Sequence, residues 1–259
     1  MKLPWPEKMD IETTRDEFLG GRLVICQPKN GYRAGVDPVL LAASIQARSG
    51  ESVLELGCGV GVASLCLAQR VDALRITGVE ILSEIAQLAQ VNAKENDLAM
   101  EVLSGDIADV PSQLRNLQFD HVMANPPYFD RRRGSVGPSI LKEKSRGEQT
   151  PLAVWTHVAG RRVKPKGFVH FIFRTERLPE LLQALPSNLG SVEVLPLVPR
   201  SQKPSELMIL TARKSGRAGF KLLPEIVMHD GKNHQKDKSD YTSQLISVLR
   251  NGQALIKDM

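Results

Sequence analysis

Short apolar runs alternate with longer amphipathic stretches through the middle of the chain, a pattern typical of strands alternating with helices. The predicted strands are Ser52–Leu56, Arg75–Glu80, Met100–Ser104, Phe119–Ala124 and 168–173. The predicted helices between them are Val62–Arg70, 83–96, 107–116 and 149–163. This alternation predicts an α/β fold, with a mostly parallel sheet and helices on both of its faces.

A different pattern precedes this region. Residues 17–35 predict a small hairpin, in which residues 22–27 form the first strand and Pro28 to Gly31 the turn, with the return strand from Tyr32 onward. A helix is expected to open near Asp37, because Asp is a good N-cap and the following Pro38 suits the first helical position.

The pattern changes again after the last predicted helix. Residues 192–198 and 206–212 predict two strands joined by a segment too short for a crossover helix, so they must form an antiparallel pair at one edge of the sheet. Residues 232–240 contain no apolar side chain and are interpreted as an exposed loop, and 241–249 as a last short helix. The expected organisation is an N-terminal extension (1–50), a catalytic domain (51–214) and a C-terminal extension (215–259).

Composition narrows the class of protein. Apolar residues make up 42% of the 259 residues, enough for a sizeable core, and no apolar run approaches the roughly 20 residues that span a bilayer. The first ten residues lack the apolar core of a signal peptide, so a cytoplasmic protein is expected. Cys26, Cys58 and Cys66 match no zinc-binding spacing and are interpreted as buried free thiols, and no metal is expected. The net charge of +5 permits a polyanionic partner.

A glycine-rich loop follows the first strand of the alternating region. Its candidate ligand-binding residues are Glu55, Gly57, Cys58, Gly59 and Gly61. Glycines allow a tight turn and let a ligand lie against bare backbone. A dinucleotide fingerprint would need Gly or Ala where Val62 stands, and a carboxylate beside a pyrophosphate would repel it. A ligand that carries an ammonium or sulfonium suits Glu55 better.

Two further strand ends offer hydrogen-bond acceptors. Glu80 ends the second strand, where an acid can accept both hydroxyls of a ribose. Asp106 follows the third strand and could accept the exocyclic amine of an adenine. Ile107 could pack on the ring, and Ile81 completes the candidate set. Acids at strand ends are also common helix N-caps, but three such features in register predict a pocket for an adenosine with a cationic tail.

The fourth strand leads into an Asn-Pro-Pro-Tyr segment formed by Asn125, Pro126, Pro127 and Tyr128. The lone pair of an amide or aryl amine is delocalised, so such a nitrogen is a poor nucleophile that gains from two acceptors holding its N–H bonds. The Asn125 side chain and the Pro126 carbonyl could be these acceptors, and Tyr128 could stack on a flat substrate. The same segment is also a strong turn signal, so a plain turn is the alternative.

Basic residues follow this segment. Phe129 could add a second aromatic wall, and Arg131, Arg132 and Arg133 could hold phosphates of an RNA. A solvated loop is the alternative interpretation of this charge run. Four cations further along the chain are surface candidates only, namely Arg161, Arg162, Lys164 and Lys166.

Together these motifs resemble those of class I S-adenosylmethionine-dependent methyltransferases of the amino-methylating branch, over roughly residues 16–214. The lead-in at residues 31–42, the NPPYF segment and the ending from Pro199 to Leu210 are most similar to the bacterial "small" methyltransferase domain family that methylates adenine in valine tRNA beside the anticodon. This resemblance implies S-adenosylmethionine as cofactor, a tRNA substrate and a seven-stranded sheet whose last strand is antiparallel. It also implies that Arg33 and Asp37 lie near the cofactor.

Other functions remain open at this stage. The NPPY segment is shared with methyltransferases that act on guanine in ribosomal RNA, on adenine in DNA and on a glutamine in release factors. A cofactor-binding RNA-binding protein without turnover is the alternative from outside the enzymes. A dinucleotide oxidoreductase is disfavoured by Val62 and Glu55. The oligomeric state is open.

Overall fold

An antiparallel hairpin opens the computed structural model, which describes residues 11–31, 33–127, 150–231 and 240–255. Its strands are β1 (Thr13–Phe18) and β2 (Leu23–Pro28), which pair with each other and form a separate two-stranded sheet.

The predicted hairpin is real, but its predicted pairing is wrong. Residues 22–27 belong to the second strand, and the turn lies before them at Leu19–Gly21. Gly20 and Gly21 have φ angles of 67° and 89°, which glycine adopts at little cost, so this pair makes the turn that was assigned to Pro28 to Gly31.

The central sheet contains seven long strands in the order β8-β9-β7-β6-β3-β4-β5. Their bounds are β3 Ser52–Leu56, β4 Arg75–Glu80, β5 Met100–Ser104, β6 Phe119–Ala124, β7 Val163–Arg174, β8 Leu189–Val198 and β9 Leu207–Lys214. Six of them run parallel, while β9 is antiparallel to both β7 and β8. Two short strands, β10 (Lys221–Leu222) and β11 (Ile226–Val227), pair with β8. The seven-stranded, mostly parallel sheet and its antiparallel pair are confirmed.

Helices cover both faces of this sheet. They are α1 Asp37–Ser44, α2 Val62–Arg70, α3 Ser83–Glu95, α4 Leu152–Arg162, α5 Leu178–Ala184 and α6 Ser243–Asn251. One buried cluster joins the hairpin with α1, α2, α3 and α6. The other lies under α4 and α5. The strands β3, β4 and β6 contribute to both clusters because successive side chains point to opposite faces.

One predicted helix is wrong. Residues 107–116 form two 3₁₀ turns, Ile107–Asp109 and Ser112–Leu114, rather than a continuous helix. Pro111 lies between them, and proline lacks the N–H that a helix interior requires. The last helix is shifted by two residues relative to the prediction, because the Thr242 hydroxyl accepts the Leu245 N–H and caps it. Most of the predicted loop 232–240 lies outside the described residues.

The three cysteines are free and buried, as the spacing indicated. Burial raises the pKa of the Cys66 thiol and that of Cys58, so both stay protonated. Among the described residues, no cluster of three His, Cys, Asp or Glu side chains could hold a metal ion. In the same part of the chain, no helix has the length and apolarity that a bilayer crossing requires.

Candidate active site

The carboxyl ends of four neighbouring parallel strands meet at one edge of the sheet. Leu56, the last residue of β3, pairs with Val79 of β4 on one side and with Ala124 of β6 on the other. Gly57 and Asn125 therefore leave the sheet side by side. Ligands of open α/β sheets bind beyond such ends, near the reversal of strand order that lies between β3 and β6.

The glycine loop between β3 and α2 needs its glycines. Gly57, Gly59 and Gly61 have φ angles of 65°, 54° and 90°, a region that other residues avoid. A Cβ on Gly57 would lie 2.6 Å from the Trp155 ring, so α4 packs directly against this backbone. A Cβ on Gly59 would meet no atom within 4 Å. The loop is thus closed behind Gly57 and open in front of Gly59, where a ligand can lie against it.

Glu80 fixes the shape of this loop from the next strand. Its carboxylate accepts the Gly59 N–H at 2.9 Å and the Leu82 N–H at 3.0 Å. Burial raises the pKa of Glu80, while hydrogen bonds from the Leu82, Gly59 and Ile81 amides oppose that shift. A carboxylate has about four acceptor positions, so capacity for ligand hydroxyls remains.

Glu55 lies beneath the loop. Its carboxylate accepts the Ser64 N–H at 3.1 Å and the Ser64 hydroxyl at 2.5 Å. Its side chain is only 3% exposed, and desolvation by burial raises its pKa to about 8 despite the two Ser64 hydrogen bonds. The nearby Glu80 charge raises it further. Glu55 therefore ties β3 to the first turn of α2.

Residues after β4 and β5 form a second part of the edge. Ile81 is 52% exposed and directly follows the buried acid Glu80. Asp106 accepts the Ala108 N–H at 2.8 Å and caps the first 3₁₀ turn, while Ile107 is buried behind it. Gly105 donates to the Glu80 carbonyl at 2.9 Å and holds the two strand ends together. An exposed apolar side chain between two acids suits a flat, polar-edged ring such as adenine.

Asn125, Pro126 and Pro127 extend from β6 without regular structure. Pro126 is buried, and Asn125 and Pro127 are half-buried. The predicted substrate residues Tyr128, Phe129, Arg131, Arg132 and Arg133 lie outside the described residues.

Arg33 lies between the hairpin and α1, and Asp37 lies at the start of α1. The Arg33 guanidinium forms a two-oxygen ion pair with Asp16 of β1, at 2.6 and 2.7 Å, so its charge is used within the hairpin region. It also donates to the Pro28 carbonyl at 3.3 Å. Asp37 is the first residue of α1 and is half-buried.

Three residues near the site were not identified from the sequence. Trp155 backs the loop at Gly57, and Ser64 holds Glu55. Asn92 on α3 donates to the Val60 carbonyl at 3.0 Å and also holds β2. Only Asn92 leaves a sequence signal, because it lies on the buried face of α3 with Leu88 and is a polar residue that needs partners there.

Comparisons with known proteins agree with this geometry. The family model for the methyltransferase small domain matches residues 34–146. A curated relative from Actinobacillus succinogenes, named tRNA1(Val) (adenine(37)-N6)-methyltransferase, is 28% identical over 90% of this chain and 95% of its own length. A relative of the same name from Porphyromonas gingivalis is 31% identical over 70% of this chain and 76% of its own.

The chain belongs to this methyltransferase family. Like the family, it is a methyltransferase, and its methyl donor is S-adenosylmethionine. A crystal structure described as a predicted O-methyltransferase from Agrobacterium tumefaciens superposes with a TM-score of 0.68 and 23% identity, covering 86% of this chain and 100% of that one. This likeness confirms the fold.

The described residues fit an adenosine with a methionine-derived tail. The open face at Gly59 leaves room for a ligand against bare backbone, Glu80 keeps acceptor capacity, and Ile81 offers an exposed apolar surface. Three of the predicted cofactor-binding residues, Gly59, Glu80 and Ile81, therefore lie together at the carboxyl ends of β3 and β4.

Proposed function

We propose that this chain transfers a methyl group from S-adenosylmethionine to the exocyclic amine of an adenine in tRNA. The observation that supports it most is the register of β3 and β6, which brings Asn125 out of the sheet beside Gly57. The relatives' names supply the adenine and the tRNA. The proposal also implies a cytoplasmic enzyme, since a tRNA substrate is found there.

In this proposal Asn125 and Pro126 hold the reacting nitrogen. The Asn125 side-chain oxygen accepts one N–H of the adenine amine, and the Pro126 carbonyl accepts the other, which favours the pyramidal nitrogen of the transition state. Pro126 and Pro127 restrict the backbone so that these acceptors stay in place. Tyr128 and Phe129 stack on the unstacked base, and Arg131, Arg132 and Arg133 contact its phosphates.

The glycine loop and the neighbouring strand ends bind the cofactor in this proposal. The sulfonium supplies an electrophilic methyl group, and positioning it in line with the nitrogen is the task of the protein. Glu80 accepts the ribose hydroxyls, and Ile81 and Ile107 flank the adenine, whose amine Asp106 accepts. The remaining proposed cofactor contacts are Arg33, Asp37, Glu55, Gly57, Cys58, Gly59, Gly61 and Asn125. The catalytic domain comprises residues 51–214, with extensions on both sides.

Incubation of the enzyme with labelled S-adenosylmethionine and either total tRNA, ribosomal RNA or total protein tests the substrate. Label is expected in tRNA, at the N6 position of adenine after digestion to nucleosides. Label in protein would favour a glutamine methyltransferase instead, and label at guanine in ribosomal RNA a guanine methyltransferase. No transfer to any fraction, with cofactor bound, would favour an RNA-binding protein without turnover.

Asn125→Ala tests the nitrogen clamp. Removal of one acceptor is expected to lower kcat about 100-fold or more, while the Kd for the cofactor changes little. The exposed Asn116, which precedes β6, supplies the control variant Asn116→Ala, and its kcat is expected to equal that of the wild type. Turnover that survives in Asn125→Ala would show that the clamp is wrong, without bearing on the cofactor site.

A further inference from the structure

Two segments far apart in the chain are rich in cations and contain no acid. They are residues 161–166 (Arg-Arg-Val-Lys-Pro-Lys) and residues 213–217 (Arg-Lys-Ser-Gly-Arg). Their cations are called the distal basic patch, and its members are Arg161, Arg162, Lys164, Lys166, Arg213, Lys214 and Arg217. These seven cations exceed the net charge of +5 for the whole chain, so the remaining residues carry a net charge of −2.

The sheet brings the two segments together. In the antiparallel pairing of β7 with β9, Phe168 lies opposite Arg213. Lys214 Nζ donates to the Val163 carbonyl at 2.8 Å, and Arg213 Nε donates to the Lys166 carbonyl at 3.1 Å. The two basic segments therefore lie side by side only in the folded chain.

Carboxylates neutralise little of this charge. Of the seven cations, only Lys164 forms an ion pair with a described residue, Asp120 at 2.8 Å. Burial lowers the pKa of Arg162, and the charge of Arg161 lowers it further. Burial likewise lowers the pKa of Lys214, with a further contribution from Arg162. Like charges are thus crowded together, an arrangement that an external anion would relieve.

The end of α4 explains only part of the patch. Arg161 and Arg162 lie in its last turn, where the helix dipole favours cations. Arg162 also donates to main-chain carbonyls, including Arg115 at 2.6 Å, and so supports the fold. Arg213 is exposed, but it too donates to a main-chain carbonyl and lies over the Phe168 ring. Lys166 and Arg217 are exposed and lie outside any helix, so neither reason applies to them.

The patch lies at the amino ends of the parallel strands, whereas the candidate active site lies at their carboxyl ends. Ala124 pairs with Phe171, so Asn125 is level with Ile172 of β7. Val163 of β7 pairs with Phe119, and Phe119 precedes Asn125 by six residues of β6, which corresponds to about 20 Å along a strand. Lys166 lies in the irregular segment between Val163 and Phe168. A ligand that reaches both places must be an extended polyanion rather than a single nucleotide.

We propose that the distal basic patch binds the sugar-phosphate backbone of the substrate RNA, at a distance from the base that is methylated. This inference rests on the proposed function, because it takes the RNA of that reaction as the ligand. Cations spaced along an edge contact phosphates without reading sequence, so the patch adds affinity and orientation rather than base choice.

A fourfold charge-neutral variant tests the patch through RNA binding. It changes the exposed cations only, as Arg161→Gln, Lys166→Gln, Arg213→Gln and Arg217→Gln. Loss of two to three phosphate contacts is expected to raise the Kd for tRNA roughly tenfold at 0.1 M salt and to lower the slope of log Kd against log salt by about 2. The kcat at saturating tRNA is expected to stay unchanged, because the active site is untouched.

A matched variant controls for net charge. It removes four exposed cations from other surfaces, as Lys29→Gln, Arg48→Gln, Lys94→Gln and Arg250→Gln. Its Kd and salt slope are expected to stay near those of the wild type. If both variants lose the same affinity, net charge and not the patch is responsible, and the proposal is wrong. Equal Kd values for wild type and patch variant would also overturn it.

RNA length gives an independent readout. A single-stranded oligonucleotide of about two nucleotides is too short to span the distance of about 20 Å between the two places, so its Kd is expected to be equal in the wild type and in the patch variant. A loss of affinity for this short RNA as large as that for tRNA would show that the patch is not remote from the site. Because binding is measured without turnover, a failure of the methylation proposal appears separately, as absent label in wild-type reactions.

Discussion

Glu55 and Glu80 are two buried carboxyls on adjacent strands beneath one glycine loop, and they differ in what surrounds them. Main-chain amides donate to Glu80, including those of Gly59 and Leu82, and they favour its charged form. Glu55 instead has one serine as its hydrogen-bonding partner, and burial raises its pKa to about 8. At the scale of single residues, one carboxyl shapes the loop and the other is a buried group whose charge is costly.

The stability of the protein is expected to fall between pH 4.5 and pH 8 because of Glu55. The folded state keeps a proton that the unfolded chain gives up above about pH 4.5, so the free energy of unfolding decreases by up to about 1.4 kcal/mol per pH unit in that window. In Glu55→Gln the side chain carries no charge at any pH, so the decrease in the free energy of unfolding between pH 4.5 and pH 8 is removed. The Tm of this variant relative to the wild type is therefore expected to be higher at pH 9 than at pH 5.

Calorimetry at the two pH values measures this difference. The exposed Glu84 gives the control variant Glu84→Gln, for which the change in Tm is expected to be small and equal at both values. A Glu55→Gln variant with the same shift at pH 5 and at pH 9 would contradict a raised pKa for the buried carboxyl.

Replacement of Gly57 and of Gly59 by alanine is expected to affect different properties of the protein, its stability and its cofactor affinity respectively. Both have positive φ angles, so backbone strain is similar. A Cβ on Gly57 also lies 2.6 Å from Trp155, whereas one on Gly59 meets nothing within 4 Å. Gly57→Ala should therefore lower Tm more than Gly59→Ala, with overpacking adding about 1–3 kcal/mol. Gly59→Ala should mainly weaken cofactor binding, as isothermal titration can measure. The reverse ranking of the two Tm values would exclude the packing role of Trp155.

At the scale of elements, side chains of α3 form the hydrogen bonds to the backbone of β2 that a neighbouring strand would otherwise form. Asn92 and Asn96 are one helical turn apart, and each side-chain amide pairs with both backbone groups of one residue of β2. Asn92 holds Cys26 at 2.8 and 3.0 Å, and Asn96 holds Val24 at 2.9 Å twice. The two residues of β2 are themselves two apart, so both face α3. The backbone N–H and C=O groups at the free edge of β2 thereby find hydrogen-bonding partners on a helix.

Asn92→Ala is expected to destabilise the protein more than Asn96→Ala. Asn92 is fully buried, and its loss leaves the Cys26 N–H and the carbonyls of Cys26 and Val60 without this partner. A cost of about 3–5 kcal/mol is expected for three such groups. Asn96 is half-buried, so water replaces part of what it provides. Urea denaturation of both variants measures the difference, and equal midpoints would contradict it.

Local sequence determines some elements and not others. The strands Ser52–Leu56 and Phe119–Ala124 were predictable because an apolar run ends at a glycine or proline signal on the next residues. The hairpin pairing is mispredicted because two turn signals, Gly20-Gly21 and 28–31, lie within the twelve residues 20–31, and hydrophobic periodicity does not distinguish between them. The prediction of a helix at 107–116 did not take account of Pro111, which interrupts a helix and can be read directly from the sequence.

At the scale of the whole molecule, the site is predictable where it depends on strand ends and not where it depends on packing. Gly57, Glu80 and Asn125 follow from the parallel order, because carboxyl ends of neighbouring strands share an edge. Trp155 reaches Gly57 from a helix 98 residues later in the chain, and no local pattern encodes that contact. The distal basic patch is likewise a product of the β7–β9 pairing.

The position of β9 between β7 and β8 has a consequence for the order of assembly. During synthesis β8 emerges before β9, yet its neighbour toward the centre of the sheet is β9. Strands β3 to β7 can join as they appear, but β8 must wait for residues 207–214, and β10 and β11 can add only to a β8 already in place. The strands β8 and β9 therefore join the sheet at β7 only after both have been synthesised. A nascent chain that stops before Leu207 has the glycine loop and Asn125 but no sheet beyond β7.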